Sequence, residues 1–284
     1  MTKLAIVGDT AQDFTYELAE QFGVEVISYY IEMDDVSYKD LYDINAQKFY
    51  EVMDNHERLS TGIPPVQEVL DLLKSLKKQG FDEVLFLTGS AQLTGMLGLY
   101  NSVKTMYDDM KIHIFDTTHI ASASALLTIE AAKMRDSGKA VEEILERLEE
   151  LKTQSKVFAV FRSLKYLVKG GRFGKYKGMI GSLLNINPIL TMKDSEIEML
   201  DKVRGTKKSL VALIDYIKKY IEGSKKYNIV IFEGDNKSEF DELKEALKYE
   251  IENANLVIET KLTPVLGVHT GPQVLGASVL ILEK

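Results

Sequence analysis

The 284-residue sequence contains no cysteine, which excludes disulfides, a thiol nucleophile and thiolate metal ligation. No apolar run reaches the roughly 18 residues needed to span a bilayer. The opening run Leu4-Ala5-Ile6-Val7 meets Gly8 and Asp9 at once, too soon for the apolar region of a signal peptide. A cytoplasmic setting with no integral membrane segment is the natural expectation. Neither His-Glu-x-x-His nor paired carboxylates at metal spacing occur, so no metal site is expected. The P-loop, the Gly-x-Gly-x-x-Gly dinucleotide fingerprint and the Gly-x-Ser-x-Gly nucleophile elbow are missing as well. No catalytic residue can be named on these grounds.

Acidic residues are missing from one long stretch. Leu151 to Lys193 holds no Asp or Glu, while nine Lys or Arg occur there. Residues 1–150 carry 13 Lys or Arg against 27 Asp or Glu, and residues 151–284 carry 22 against 16. Such asymmetry predicts two domains, 1–153 and 154–284, with an anionic partner touching the second. A solvated basic face balancing an acidic neighbour is the plainer alternative. Aromatics stand among the basic residues at Phe173 and Tyr176, yet a net charge of -8 for the whole chain argues against nucleic acid.

What is present is a rhythm of strands and helices. Leu4–Val7, Val24–Ile31, Val84–Leu87 and Ile112–Phe115 read as strands. Between and after them, 13–22, a segment opened by Pro64-Pro65 and running to Gln79, 95–109, 120–135 and 140–152 read as helices. Alternation of this kind predicts an N-terminal, mostly parallel sheet flanked by helices. The second half breaks the rhythm. Val157–Phe161 is a strand, 164–168 a short helix and 179–184 an apolar helical segment. Ile186–Leu190 and Glu196–Leu200 form a strand pair around a Lys-Asp-Ser turn. Strands near 229–232, 256–260 and 278–282 complete a C-terminal α/β domain with a mixed or antiparallel sheet.

Hydroxyls crowd the strand ends, at Gly8-Asp9-Thr10, Thr88-Gly89-Ser90 and Asp116-Thr117-Thr118. In open α/β sheets ligands bind outside these carboxyl ends, although each turn taken singly reads as a helix cap. Ser60-Thr61-Gly62-Ile63-Pro64-Pro65 puts two hydroxyls ahead of a proline-started helix, and Gln92-Leu93-Thr94-Gly95 opens the next. Both can aim a hydroxyl and backbone amides at one anionic oxygen. His56, His113 and His119 lack ligand-like spacing. His269 lies in Leu266-Gly267-Val268-His269-Thr270-Gly271-Pro272, read as a loop whose glycines let the backbone approach a ligand.

Four segments, in this order, resemble the DegV family: Lys169-Gly170-Gly171-Arg172, the run from Ile180 to Leu190, Lys202-Val203-Arg204-Gly205, and His269-Thr270-Gly271-Pro272. The likeness extends over essentially the whole chain. It implies a two-domain carrier that buries a long-chain fatty acid, such as palmitate, between its domains and presents the carboxylate to a fatty acid kinase. The resemblance thus implies a lipid carrier rather than an enzyme, with the fatty acid as ligand and no cofactor. The resemblance places head-group contacts on Thr61 and Thr94, with Ser60, Gly95, His269, Thr270 and Gly271 around them. Arg172 and Arg204 match basic positions suited to the kinase or the acyl phosphate. The family's usual Thr-Ser-Gln-Pro-Ser stands here as Ser60-Thr61-Gly62-Ile63-Pro64, and its Leu-Ser-Gly-Thr as Leu93-Thr94-Gly95-Met96, so hydroxyls persist at both places. The competing reading is a phosphotransferase-type subunit gripping a small phosphorylated metabolite with the Gly170–Gly178 loop.

Overall fold

The computed structural model describes residues 3–176, 178 and 186–284. The chain begins with β1 (Leu4–Asp9), a single 3-10 turn (Thr10–Gln12), α1 (Tyr16–Phe22) and β2 (Glu25–Ile27). A small excursion follows: β3 (Tyr30–Met33), β4 (Val36–Lys39), α2 (Ala46–Val52) and β5 (Leu59–Gly62). Then come α3 (Val66–Lys78), β6 (Glu83–Thr88), α4 (Met96–Met106), β7 (Lys111–Asp116), α5 (Ser122–Asp136) and α6 (Val141–Lys152). The rest comprises β8 (Ser155–Val160), α7 (Lys165–Lys169), β9 (Asn187–Lys193), β10 (Glu196–Val203), α8 (Thr206–Ile221), β11 (Lys226–Gly234), α9 (Lys237–Ala246), α10 (Lys248–Glu252), β12 (Leu256–Lys261), α11 (Pro264–Thr270) and β13 (Val274–Glu283).

Strands of the first half make a parallel sheet in the order β2-β1-β6-β7, and those of the second half a mixed sheet in the order β10-β9-β8-β13-β11-β12. Only the β11–β12 pair of the mixed sheet is parallel; its other neighbours are antiparallel. This is the two-domain α/β architecture that the patterning predicts. Alternation of side chains explains how the mixed sheet is covered on both faces. Val157, Ala159 and Phe161 join the core shared with the first half, whereas Phe158 and Val160 join the core beneath α8 and α9. The α5 helix lies between the sheets, and its Ala- and Ser-rich sequence is buried at Ser122, Ala123, Ser124, Ala125 and Thr128. Small side chains allow the close approach, and their hydroxyls are paired: Ser122 Oγ donates to Ser278 Oγ at 2.9 Å, and Thr128 Oγ1 to Gln12 Oε1 at 2.7 Å.

One expectation is corrected here. Val24–Ile31 is not one strand: β2 ends at Ile27 in the parallel sheet, and β3 starts at Tyr30 in a separate three-stranded sheet ordered β4-β3-β5. The break occurs because Tyr29 N donates to Thr10 Oγ1 and Tyr29 O accepts from Asp40 N, which turns the chain out of the first ladder. Ser60 and Thr61, ahead of the proline-started helix, lie on β5, paired with Glu32 and Ile31 of β3. The helical reading of 179–184 falls outside the described residues.

Candidate ligand-binding site

The parallel strand order reverses at β1, flanked by β2 and β6, and a ligand crevice opens beyond such a switch point. The turns there are occupied by internal bonds. Asp9 Oδ1 accepts from Ala11 N at 3.0 Å, Thr117 Oγ1 donates to Thr88 O at 2.9 Å, and Ser90 Oγ donates to Ser195 O at 2.6 Å. Only Asp9 acts as a cap; Ser90 and Thr117 instead tie their turns to distant backbone carbonyls, and the helices that follow, α4 and α5, have no side-chain cap. Beyond these turns an apolar cavity extends between the two sheets, with about 970 Å³ of empty space, open solvent included. The parallel half contributes Ala11, Ile120 and Ala121, and the mixed sheet contributes Val157, Ala159 and Phe232.

Polar groups gather at one part of this wall. Thr61, Thr94, Gly95, Arg172, His269 and Thr270 all line the cavity, although they derive from β5, the start of α4, the turn after α7, and α11. The structure thus brings together six of the nine residues singled out from the sequence. It leaves out three. Ser60 is exposed, because its neighbour Thr61 takes the inward side of β5 and alternation sends Ser60 outward. Gly271 adopts φ 72° at the end of α11, and a Cβ there would strike the ring of Tyr166, so its closeness serves packing. Arg204 is exposed between β10 and α8 and does not line the cavity. The His269 loop is also corrected: Pro264–Thr270 is a helix started by proline, and His269 is its last-turn residue.

Hydrogen bonding fixes which protons are available. His269 Nε2 and Thr61 Oγ1 are 2.8 Å apart, while Nδ1 is buried with no partner among the described residues. Burial, aided by the nearby Arg172 guanidinium, lowers the imidazole to about 4, so the ring is neutral at physiological pH. With nothing to accept a proton at Nδ1, the single N–H belongs on Nε2 and is donated to Thr61 Oγ1. The Thr61 hydroxyl proton is then free to point at a ligand oxygen. Thr94 is set up similarly: its Oγ1 accepts from Met96 N at 3.4 Å, which leaves its own O–H to donate. Arg172 is half-buried, with Nη1 donating to Gly170 O at 2.6 Å and Nε to Leu93 O at 3.3 Å. The sequence reading turned Arg172 toward a partner; it also forms part of the cavity wall. Gly170 has a steric reason to be glycine, because a Cβ there would collide with His269 Nδ1.

Other sequence candidates are structural. His113 pairs with Glu83 and His56 with Asp34, each at 2.7 Å. His119 Nε2 lies 2.8 Å from Lys152 O. Lys169 Nζ donates to Glu57 O, and Lys175 pairs with Glu198 at 2.9 Å, so much of the basic loop is committed within the protein. Among the described residues no group of three or more His, Asp or Glu could hold a metal ion. What the sequence reading missed is a set of buried acids. Asp9, Asp13 and Asp40 are each no more than 1 % exposed. Burial, the largest cause, raises Asp9 and Asp40 to about 7 and Asp13 well above its ordinary value.

Comparison with known proteins agrees with this architecture. A family model described as "Uncharacterised protein, DegV family" matches residues 3–282. A DegV domain-containing protein of Clostridium acetobutylicum is 34 % identical over 289 residues, covering 100 % of both chains. A DegV family protein of Thermus thermophilus superimposes with a TM-score of 0.91 at 22 % identity, covering 99 % of this chain and 100 % of that one, which establishes likeness of fold. A Thermotoga maritima protein, described as revealing a fatty acid binding function, is 26 % identical with a TM-score of 0.85, covering 99 % of this chain and 100 % of the other.

Proposed function

The chain belongs to the DegV family, and from that premise we propose that it carries a long-chain fatty acid in the cavity between its sheets. The observation that carries this reading is an apolar cavity with uncharged hydroxyl donors at one part of its wall. A buried methylene contributes about 0.8 kcal/mol, so the apolar wall supplies affinity for an acyl chain. A carboxylate taken from water needs several charge-assisted hydrogen bonds. Thr61 and Thr94 donate two, the neutral His269 holds Thr61 in the donating orientation, and Arg172 supplies nearby positive charge. Fatty acid binding described for the Thermotoga maritima relative supports the same ligand class here.

The finer part of the reading is that the protein works as a carrier without chemistry of its own and offers the carboxylate to a fatty acid kinase. Arg172, in the cavity wall and close to the head-group residues, is suited to meet an incoming phosphoryl group. Lipid extraction and native mass spectrometry of the purified protein test the ligand. A co-purifying C16–C18 acid near one per chain is expected; a protein that neither carries nor takes up such an acid overturns the reading. Addition of a fatty acid kinase and ATP to the loaded protein tests the partner, with acyl phosphate as the expected product.

A further inference from the structure

Tyr29 is a polar member of the cavity wall to which the head-group reading gives no part. It is 4 % exposed, it lines the cavity with Thr94 and Arg172, and its hydroxyl oxygen is buried with no hydrogen-bond partner among the described residues. Backbone bonds hold it there. Tyr29 N donates to Thr10 Oγ1 at 3.2 Å, and Asp40 N donates to Tyr29 O at 2.9 Å, at the point where the chain leaves one sheet for another. A buried phenol normally finds a partner, and leaving it unpaired is unfavourable. The groups around it decide what that partner is. Burial and the nearby Asp9 push the phenol well above its ordinary value, against the smaller opposing effects of Arg172 and of the Thr94 hydroxyl, which lies close enough to favour the phenol's charged form but closes no hydrogen bond of good geometry with it. Tyr29 is therefore a neutral O–H donor, and a neutral donor next to Thr94 suits an acceptor that carries charge.

We infer that Tyr29 is a third head-group donor, its O–H meeting a carboxylate oxygen of the bound acid beside Thr94, and that it favours the ionised acid over the alcohol of the same chain. This rests on the fatty-acid reading above. Three converging donors reward an anionic acceptor, whereas an alcohol brings one weaker acceptor and a donor with nowhere to go.

The test is Tyr29→Phe, loaded with palmitate labelled with carbon-13 at the carboxyl, beside wild type and a Tyr42→Phe control at a ring that is 75 % exposed. The bound carboxyl resonance is expected to move in Tyr29→Phe alone. Palmitate retention should fall roughly tenfold, the scale of one charge-assisted hydrogen bond, and hexadecanol retention should fall less. The delipidated variant should melt at or above the wild-type temperature, because an unpaired buried hydroxyl has been removed. A resonance and a retention that both match wild type overturn the inference alone. So does a delipidated variant that melts lower, which would make the hydroxyl a structural bond. A wild type that takes up no palmitate overturns the fatty-acid reading and this inference with it.

Discussion

At the scale of single residues, the Thr61–His269 pair shows how a neutral histidine can matter without donating to the ligand itself. It sets the direction of a hydroxyl. Thr61→Val and Thr94→Val are isosteric and keep the cavity's shape while removing one donor each. Each should lower fatty-acid retention about tenfold, read from the displacement of a fluorescent fatty acid. Gly170→Ala acts on the same pair from outside. Its methyl would meet His269 Nδ1 and lie 3.2 Å from Tyr166 O, so the imidazole must shift. We expect retention to fall as far as in His269→Ala, with about 1–3 kcal/mol of destabilisation; a Gly170→Ala protein that binds like wild type would show that the ring has room to move.

At the scale of elements, the placement of α11 depends on the buried acids. Asp13 Oδ1 accepts from Thr263 N at 3.0 Å, and Thr263 Oγ1 donates to Thr10 O at 2.9 Å. Those bonds anchor the start of the helix that ends in His269. Asp9 and Asp40, raised to about 7, keep their protons in the folded protein between pH 4 and 7, while the unfolded chain loses them near pH 4. The unfolded state thus binds fewer protons in that window, and stability falls as pH rises through it. His269, lowered to about 4, acts oppositely: the unfolded chain holds its proton up to about pH 6.5, so this group alone makes stability rise from pH 4 to 6.5. Taken together, the two raised acids outweigh the histidine, so the combined contribution of these three groups falls from pH 4 to 7. Asp40→Asn removes one ionisation. Relative to wild type it should be more favourable at pH 7.5 than at pH 4.5 by roughly 3 kcal/mol, measured by urea denaturation at the two pH values. Parallel profiles for the two proteins would refute the role assigned to Asp40.

At the scale of the whole molecule, the cavity wall is shared by both sheets, so the proposed acyl chain between them would form part of the core. Val157, Ala159, Phe232 and Val265 line it and belong to the same apolar cluster as Ala11 and Ala121. Ligand binding should then stabilise both halves together. Free palmitate at one hundred times its dissociation constant contributes about 2.7 kcal/mol. Delipidation should lower the melting temperature by several degrees, and re-addition of palmitate should restore it, as followed by calorimetry. Loss of a single cooperative transition into two on delipidation would show that the ligand couples the halves.

Much of this was legible along the chain. Alternating strands and helices up to Lys152 give the parallel sheet, because hydrophobic periodicity is a local property that survives into the fold. The motif around Lys169–Arg172 and the hydroxyls at Thr61 and Thr94 mark the site by resemblance, and the missing cysteines and nucleotide motifs limit its chemistry. Convergence was not legible. Thr61 and His269 are 208 positions apart yet 2.8 Å apart in space, and only packing makes them neighbours. The same holds for the protons. Asp9 reads in the sequence as part of a strand-end turn, Asp40 carries no mark of its own, and Tyr29 reads as one residue of a continuous strand. Burial raises the two acids, and a turn between two sheets aims the phenol at the cavity. The sequence by itself therefore determined the elements and the residue types at the site, while the tertiary structure decided which face each side chain takes, because desolvation and hydrogen-bond pairing depend on distance in space rather than along the chain.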